Sequence, residues 1–188
     1  METNTLTAGL VDSLPLTGQW LLDKFHSRLG FSITHLSITK IRGSFKQFEA
    51  TINAPGPDWS NASVELTADI NSVNTENEQR DEHLKKDEYL DTAAYPALSF
   101  KSTAFIKTKD DNYKITGNLT LHGQTKPVEL DAIYNGTMVH PMTKKDMAGF
   151  TVTGIIRRTD FGIATAVPDV MLGNKVVLSA DLQFAREV

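Results

Sequence analysis

A closed antiparallel β-barrel of about eight strands is the fold class this chain predicts. Three observations carry it: most of the sequence alternates apolar and polar residues with period two, turn residues punctuate the alternation at hairpin spacing, and one segment alone has a helix signature. Such alternation gives each strand one buried and one solvated face. A meander of these strands either closes on itself or leaves adhesive edges, so closure is favoured.

Taken in order, Leu6, Leu10 and Leu14 at i, i+4, i+8 predict a short amphipathic helix in an N-terminal extension over 1–17, ahead of one barrel domain over 18–188. Leu29, Phe31 and Ile33 share one side of a strand, and Val64, Leu66, Ala68 and Ile70 one side of another. Between them the apolar phase slips from Phe45 to Phe48, the mark of a bulge that bends a strand toward closure. Alternation returns in Leu98 and Phe100, in Tyr113 to Leu121, in Val128 to Tyr134 (with Leu130), in Phe150 to Ile156, and in Val176 to Phe184. Gly43, Gly117 and Gly154 inside these runs predict tight corners. Gly123 to Pro127 predicts a hairpin turn, Asn135-Gly136 the opening of a loop, and Gly173-Asn174 a two-residue hairpin.

Two segments stand apart. Thr75-Glu76-Asn77-Glu78 reads as a capping box with Thr75 as cap, ahead of a helix over Gln79 to Tyr89. Its only apolar residues, Leu84, Tyr89 and Leu90, are too few for a core helix, so it is placed across one barrel end as a plug or lid. Phe161 to Leu172 is apolar without periodicity, as lids and portals often are.

Composition narrows the function classes. With 188 residues, 40% hydrophobic and 22% charged, the chain predicts one soluble domain. Its net charge of -4 repels phosphate backbones and acidic membrane surfaces, so no nucleic-acid partner is expected. No cysteine is present, which removes disulfides, thiolate metal sites and thiol nucleophiles. No apolar run approaches the ~18 residues of a bilayer span, so stable membrane insertion is not expected. The N-terminus lacks a leader pattern; a cytoplasmic location is expected as the sequence stands, and a periplasmic one if a leader has been removed. The sequence contains no Gly-x-Ser-x-Gly elbow, phosphate-binding loop, zinc helix or dinucleotide fingerprint. No catalytic residue, metal or cofactor is therefore expected.

Five phrases arrive in order: Asp23-Lys24-Phe25-His26-Ser27 leading to Phe31-Ser32-Ile33-Thr34-His35; Arg80-Asp81-Glu82-His83-Leu84; Tyr95-Pro96-Ala97-Leu98-Ser99-Phe100; Gly117-Asn118-Leu119-Thr120-Leu121-His122-Gly123; and Arg158-Thr159-Asp160-Phe161-Gly162. With these phrases the chain resembles the bacterial YceI-like family of polyisoprenoid-binding proteins from roughly Trp20 to Phe184. The family more often shows an acid at Asn118 and phenylalanine at Tyr89. The resemblance implies a lipocalin-like barrel, often a homodimer, enclosing a long isoprenoid chain such as a polyprenyl phosphate or a quinone tail, with no agreed catalytic activity. Gly18-Gln19-Trp20 also resembles the Gly-x-Trp that opens true lipocalins. Leu6, Leu10 and Leu14 are expected to help hold the dimer.

Phe31, Ile33, Leu66, Phe100, Leu119, Leu121 and Leu130 occupy inward phases of different strands. A barrel of this size is either filled by side chains or holds one ligand, and alternation leaves both open. Given the resemblance, these seven are expected to line an apolar tunnel that grips an isoprenoid. His26, His83 and His122, with Asp23 and Asp81, have two readings: a head-group or metal site at one barrel end, or a hydrogen-bonded network tying the helix to the strands, which is the expected one. Arg80 either clamps a lipid phosphate or binds Asp81 or a helix-end carbonyl. Lys144 and Lys145 are expected in a solvated turn. The alternatives are an enzyme acting on an isoprenoid head group, and a packed-interior structural or stress module without ligand.

Overall fold

In the computed structural model, which describes residues 16–187, the period-two alternation is realised in eleven strand segments. β1 (Gly18–Leu22), β2 (Arg28–His35), β3 (Thr39–Phe45), β4 (Phe48–Ala54), β5 (Ser63–Asp69) and β6 (Val73–Asn74) precede the helix α1 (Glu78–Leu84). After it come β7 (Ala97–Lys109), β8 (Asn112–Leu121), β9 (Gln124–Val139), β10 (Asp146–Arg157) and β11 (Leu172–Arg186). Eight of these close a ring in the order β1-β4-β5-β7-β8-β9-β10-β11, and β11 returns to β1 through pairs such as Trp20 with Arg186 and Leu22 with Phe184. The expected closed antiparallel barrel is the fold. Leu6, Leu10 and Leu14 lie outside the described residues.

β11 changes partner along its length. Its C-terminal part pairs with β1, and its remainder, from Leu172 to Asp181, pairs with β2. β1 and β2 are thus one long strand broken by a single 3-10 turn (Lys24–His26), and β3 and β4 are one long strand broken at Lys46-Gln47, where the sequence phase slips. The amides of Lys46 and Gln47 leave the ladder there and donate to the carbonyl and hydroxyl of Ser72, at 3.1 and 3.0 Å. With these bent strands taken whole, neighbours in the ring are neighbours in sequence. At the lower end β1 closes the ring. At the upper end Thr39–Gly43 of β3 pairs with β2 alone, β6 meets β3 only at Ser44 and Phe45, and α1 with the turns after it spans the gap.

The lower half is solid. Trp20 and Trp59 are wholly buried, with ring centroids 5.2 Å apart, and Trp59 meets Phe150 at 5.0 Å and Tyr134 at 5.7 Å, edge to face. This is the geometry that aromatic quadrupoles favour. Trp59 comes from the turn between β4 and β5, and Trp20 donates to the Leu16 carbonyl at 2.8 Å.

Several local expectations are corrected. The cap of α1 is Asn77, whose side chain accepts from the Arg80 amide at 2.9 Å; Thr75 is buried and drawn to Asp81 instead, and α1 ends at Leu84, short of Tyr89. Asn135-Gly136 lies inside β9 as a bulge, with Gly136 opposite Gly149, Tyr134 opposite Phe150, and Asn135 extruded to donate to Thr151. The positive φ of Gly136 (114°) permits it. Gly173-Asn174 lies inside β11, where the register with β2 slips, and not in a hairpin. The turn between β8 and β9 is tighter than expected: His122 and Gly123 alone, with φ of 51° and 70°, connect the strands in the left-handed conformation that two-residue hairpins need.

Candidate functional site

Above the aromatic plug the inward side chains do not meet across the barrel, and they enclose a cavity of about 440 Å³, within the range of ligand pockets. Phe31 and Ile33 from β2, Leu66 from β5, Phe100 from β7, Leu119 and Leu121 from β8, and Leu130 from β9 all face it. Leu84 of α1 and Tyr89 and Leu90 after it close over it, as does the segment from Ile163 to Leu172. The structure therefore brings together all seven residues picked by strand phase.

Three glycines help keep this space open. A Cβ built on Gly43 would lie 2.4 Å from Cζ of Phe31, one on Gly117 2.5 Å from Cζ of Phe100, and one on Gly154 2.4 Å from Cδ2 of Leu130. None of the three has a positive φ, so they are not the expected corners. Each is a recess in one strand that receives a lining side chain from the next, a close approach only glycine allows. Without the recesses, Phe31, Phe100 and Leu130 would have to stand further into the lumen.

Polar groups gather at the upper mouth. Arg80 and His83 of α1 face the cavity together with Thr75 and His35. Arg80 donates from Nε to Thr75 Oγ1 and from Nη2 to the Thr75 carbonyl, both at 2.7 Å; its Nη1 donates to no protein group among the described residues. Asp81 is buried beneath, where one carboxylate oxygen accepts from the amide and the hydroxyl of Thr75 at 2.9 and 2.5 Å. This pins the start of α1 to β6. His83 bonds Glu88 at 2.6 Å and meets the Tyr89 ring at 4.8 Å.

The other polar candidates lie elsewhere, so the five do not converge on one barrel end. Asp23 caps the 3-10 turn at the seam and His26 ends it, and neither lines the cavity. Asp23 accepts from Nδ1 of His26 at 2.8 Å, from the Phe25 amide at 3.1 Å and from Gln183 of β11 at 3.1 Å. Burial raises its carboxyl pKa, but these hydrogen bonds and the charge of His26 outweigh it and hold the group below 3.8. His122, in the β8–β9 turn, bonds the Phe161 carbonyl through Nδ1 at 2.9 Å and stacks edge-on against Tyr95 at 4.7 Å. Its Nε2 is buried without a protein partner. Among the described residues no three His, Asp or Glu side chains are grouped to hold a metal ion.

Sequence reasoning gave no role to Arg158, which holds the rim. Its side chain is 2% exposed and donates to the carbonyls of Gly173, Ile163, Ala164, Val167 and Leu172 and to the Asp169 carboxylate. The apolar segment expected to be a lid or portal is therefore wrapped around one guanidinium. Five of its partners are main-chain oxygens, which leave no signature in sequence; the signals present were the phrase Arg158-Thr159-Asp160-Phe161-Gly162 and its place before an aperiodic apolar run.

A family model described as the YceI-like domain matches residues 20–184. Protein YceI of Salmonella newport is 36% identical over 188 residues, covering 96% of this chain and 97% of that one. The UPF0312 protein SA2479 of Staphylococcus aureus is 35% identical over 167 residues, covering 87% and 95%. Among solved structures, the YCEI protein of Campylobacter jejuni superposes with a TM-score of 0.73 at 32% identity, covering 89% of this chain and 97% of that one. A polyisoprenoid binding domain from Saccharophagus degradans, implicated in plant cell wall breakdown, superposes at 0.65 with 15% identity, covering 89% and 98%, a likeness of fold.

Proposed function

The chain belongs to the YceI-like family, and from that premise we propose that it binds a long-chain polyisoprenoid lipid, of polyprenyl phosphate or isoprenoid quinone type, as a carrier or reservoir. One observation carries the reading: the cavity is walled by apolar side chains along its depth, and its charged groups are confined to the mouth. A polyisoprenoid has the same division, an apolar chain ending in one polar group. In this reading Phe31, Ile33, Leu66, Phe100, Leu119, Leu121 and Leu130 grip the chain, and Arg80 with His83 faces the head group. The free Nη1 of Arg80 is the donor a phosphate or quinone oxygen would take.

Removing apolar chain from water is worth about 0.8 kcal/mol per CH₂. A bilayer gives the same chain almost the same environment. Transfer between membrane and barrel is then close to balanced, which suits loading and delivery. We read the site as a binder and not a catalyst, because Asp81 and Thr75 are occupied in holding each other and His83 in holding Glu88.

Mass spectrometry of an organic extract of protein purified without detergent tests this directly. The wild type is expected to yield an isoprenoid, and Leu119→Asp, folded by circular dichroism, to yield little, since an unpaired charge in the lumen is costly. Folded Leu119→Asp protein with a full complement of isoprenoid, or wild type that never carries any, would refute the proposal.

A further inference from the structure

The upper rim carries an apolar lip beside an acid-free basic strand pair. From Lys24 to Phe48 the sequence contains five lysines and arginines and no aspartate or glutamate, in a chain whose net charge is -4. Lys24 is paired with Glu49, but Arg28, Lys40, Arg42 and Lys46 are exposed and enter no ion pair among the described residues. The hairpin joining β2 to β3 ends in Leu36 and Ile38, 47% and 84% exposed. Across from it stand Val170 and Met171, 63% and 51% exposed. The two tips are bonded: the Leu36 amide donates to the Met171 carbonyl at 2.9 Å, and the Ser37 hydroxyl to the Val170 carbonyl at 3.2 Å. Leu36 and Ser37 hold φ of 50° and 58°, a left-handed conformation costly for residues other than glycine and maintained where surrounding structure imposes it.

We propose that this lip is a docking surface for an anionic phospholipid bilayer, with Leu36, Ile38, Val170 and Met171 entering the interface and Lys40 and Arg42 meeting the lipid phosphates. The chemistry is that of peripheral interfacial binding, in which a small apolar insertion and a basic collar add together. The overall negative charge does not prevent it, since three acids of the same rim are locally paired, Asp169 beside Val170 with Arg158, Glu82 with Lys85 and Glu88 with His83, and the β2–β3 side of the rim carries cations alone. Met171, His35 and Ile41 also line the cavity, so the lip and the cavity mouth are one rim. Docking there sets the β2–β3 side of the opening against the bilayer. The surface is inferred from its own charge and exposure and holds whatever ligand fills the cavity.

The test uses the full chain and vesicles free of isoprenoid, of phosphatidylcholine with or without phosphatidylglycerol, so its outcome is independent of the ligand proposal. Wild type is expected to co-sediment with the anionic vesicles at low ionic strength and to be released by salt. Lys40→Gln with Arg42→Gln should weaken binding roughly thirtyfold, at about tenfold for each 1.4 kcal/mol and about 1 kcal/mol for each surface cation. Ile38→Gln with Val170→Gln should weaken it at least tenfold, and Met142→Gln with Lys144→Gln and Lys145→Gln, in the turn at the opposite end, should leave it unchanged. Because Trp20 and Trp59 are wholly buried, a tryptophan placed by Ile38→Trp reports separately, and its emission should shift to the blue on adding vesicles. Failure of wild type to bind anionic vesicles at low salt, or equal binding by both lip variants, would overturn the proposal. So would Lys40→Gln with Arg42→Gln protein that self-associates yet binds vesicles normally, since those cations would then serve only to guard an exposed strand edge.

Discussion

Replacing one phenylalanine in each half of the barrel measures whether the upper half is hollow in solution. Phe150 is 3% exposed and sits in the plug, with ring neighbours Trp59 at 5.0 Å, Tyr134 at 5.5 Å, Phe184 at 6.1 Å and Phe105 at 6.3 Å. Phe150→Ala removes a ring surrounded on all sides and leaves a cavity that cannot collapse, so it should cost about 4 to 5 kcal/mol. Phe100 is equally hidden from solvent at 8% exposure, but one side of it faces the 440 Å³ space and the ring tip rests over Gly117. Phe100→Ala widens a void that already exists, so only the transfer part is lost, about half of the ~3 kcal/mol for burying a phenylalanine. For a domain of this size about 1 kcal/mol moves Tm by roughly 2–4 °C, so Phe150→Ala should lower Tm at least twice as far as Phe100→Ala. Urea and thermal denaturation of lipid-free protein give both numbers. Equal losses, or a larger loss for Phe100→Ala, would mean that the upper half packs like the lower one and that the cavity does not persist.

Arg158→Met keeps the length of the side chain but removes its donors to five carbonyls. It should cost at least about 1.5 to 3 kcal/mol, the worth of hydrogen bonds to a charged group, and more where a freed acceptor such as the carbonyl of buried Ala164 is left unsatisfied. Hydrogen exchange should accelerate across 162–172 and leave the β7–β8 ladder protected; unchanged exchange there would show that Arg158 does not hold the rim. Asp23 gives a pH dependence. Its folded pKa lies below its unfolded value, so its contribution is complete above the unfolded pKa and is lost as pH falls through the folded one. Wild type should lose stability on acidification from about pH 5 to below the ordinary carboxylate value of 3.8, and Asp23→Asn should show a shallower loss by urea titration at each pH; identical slopes would remove Asp23 as the cause.

The strand faces were legible because period two is a geometric property of an extended chain: Leu66, Phe100 and Leu119 are inward for the same reason they alternate. The break at Lys46-Gln47 was legible as a phase slip. The roles of the glycines were not, since a corner and a recess leave the same letter in the sequence, and only the neighbour across the ladder distinguishes them. The cap was misplaced because Asp81, four residues into the helix segment, captures Thr75 and passes the terminus to Asn77. The family phrases around His26 and His122 mark seams and turns: His26 braces Asp23 against β11, and His122 occupies a left-handed turn position against Phe161. Trp59 follows a Pro-Gly-Pro-Asp turn outside any alternating run, so strand phase gave it no place, yet it is wholly buried at the centre of the plug.

The partner change along β11 gives the barrel the mechanics of a sleeve hooped at one end and slit at the other. Around the hoop every strand is tied to two others, and stretching it would break ladder hydrogen bonds. Along the slit, above Ser44, β3 is tied on one side only, and what bridges the gap is α1 and its following turns. Widening the rim there would break no ladder hydrogen bond of β3 above Ser44. The hoop fixes the strand register below, and with it the bore.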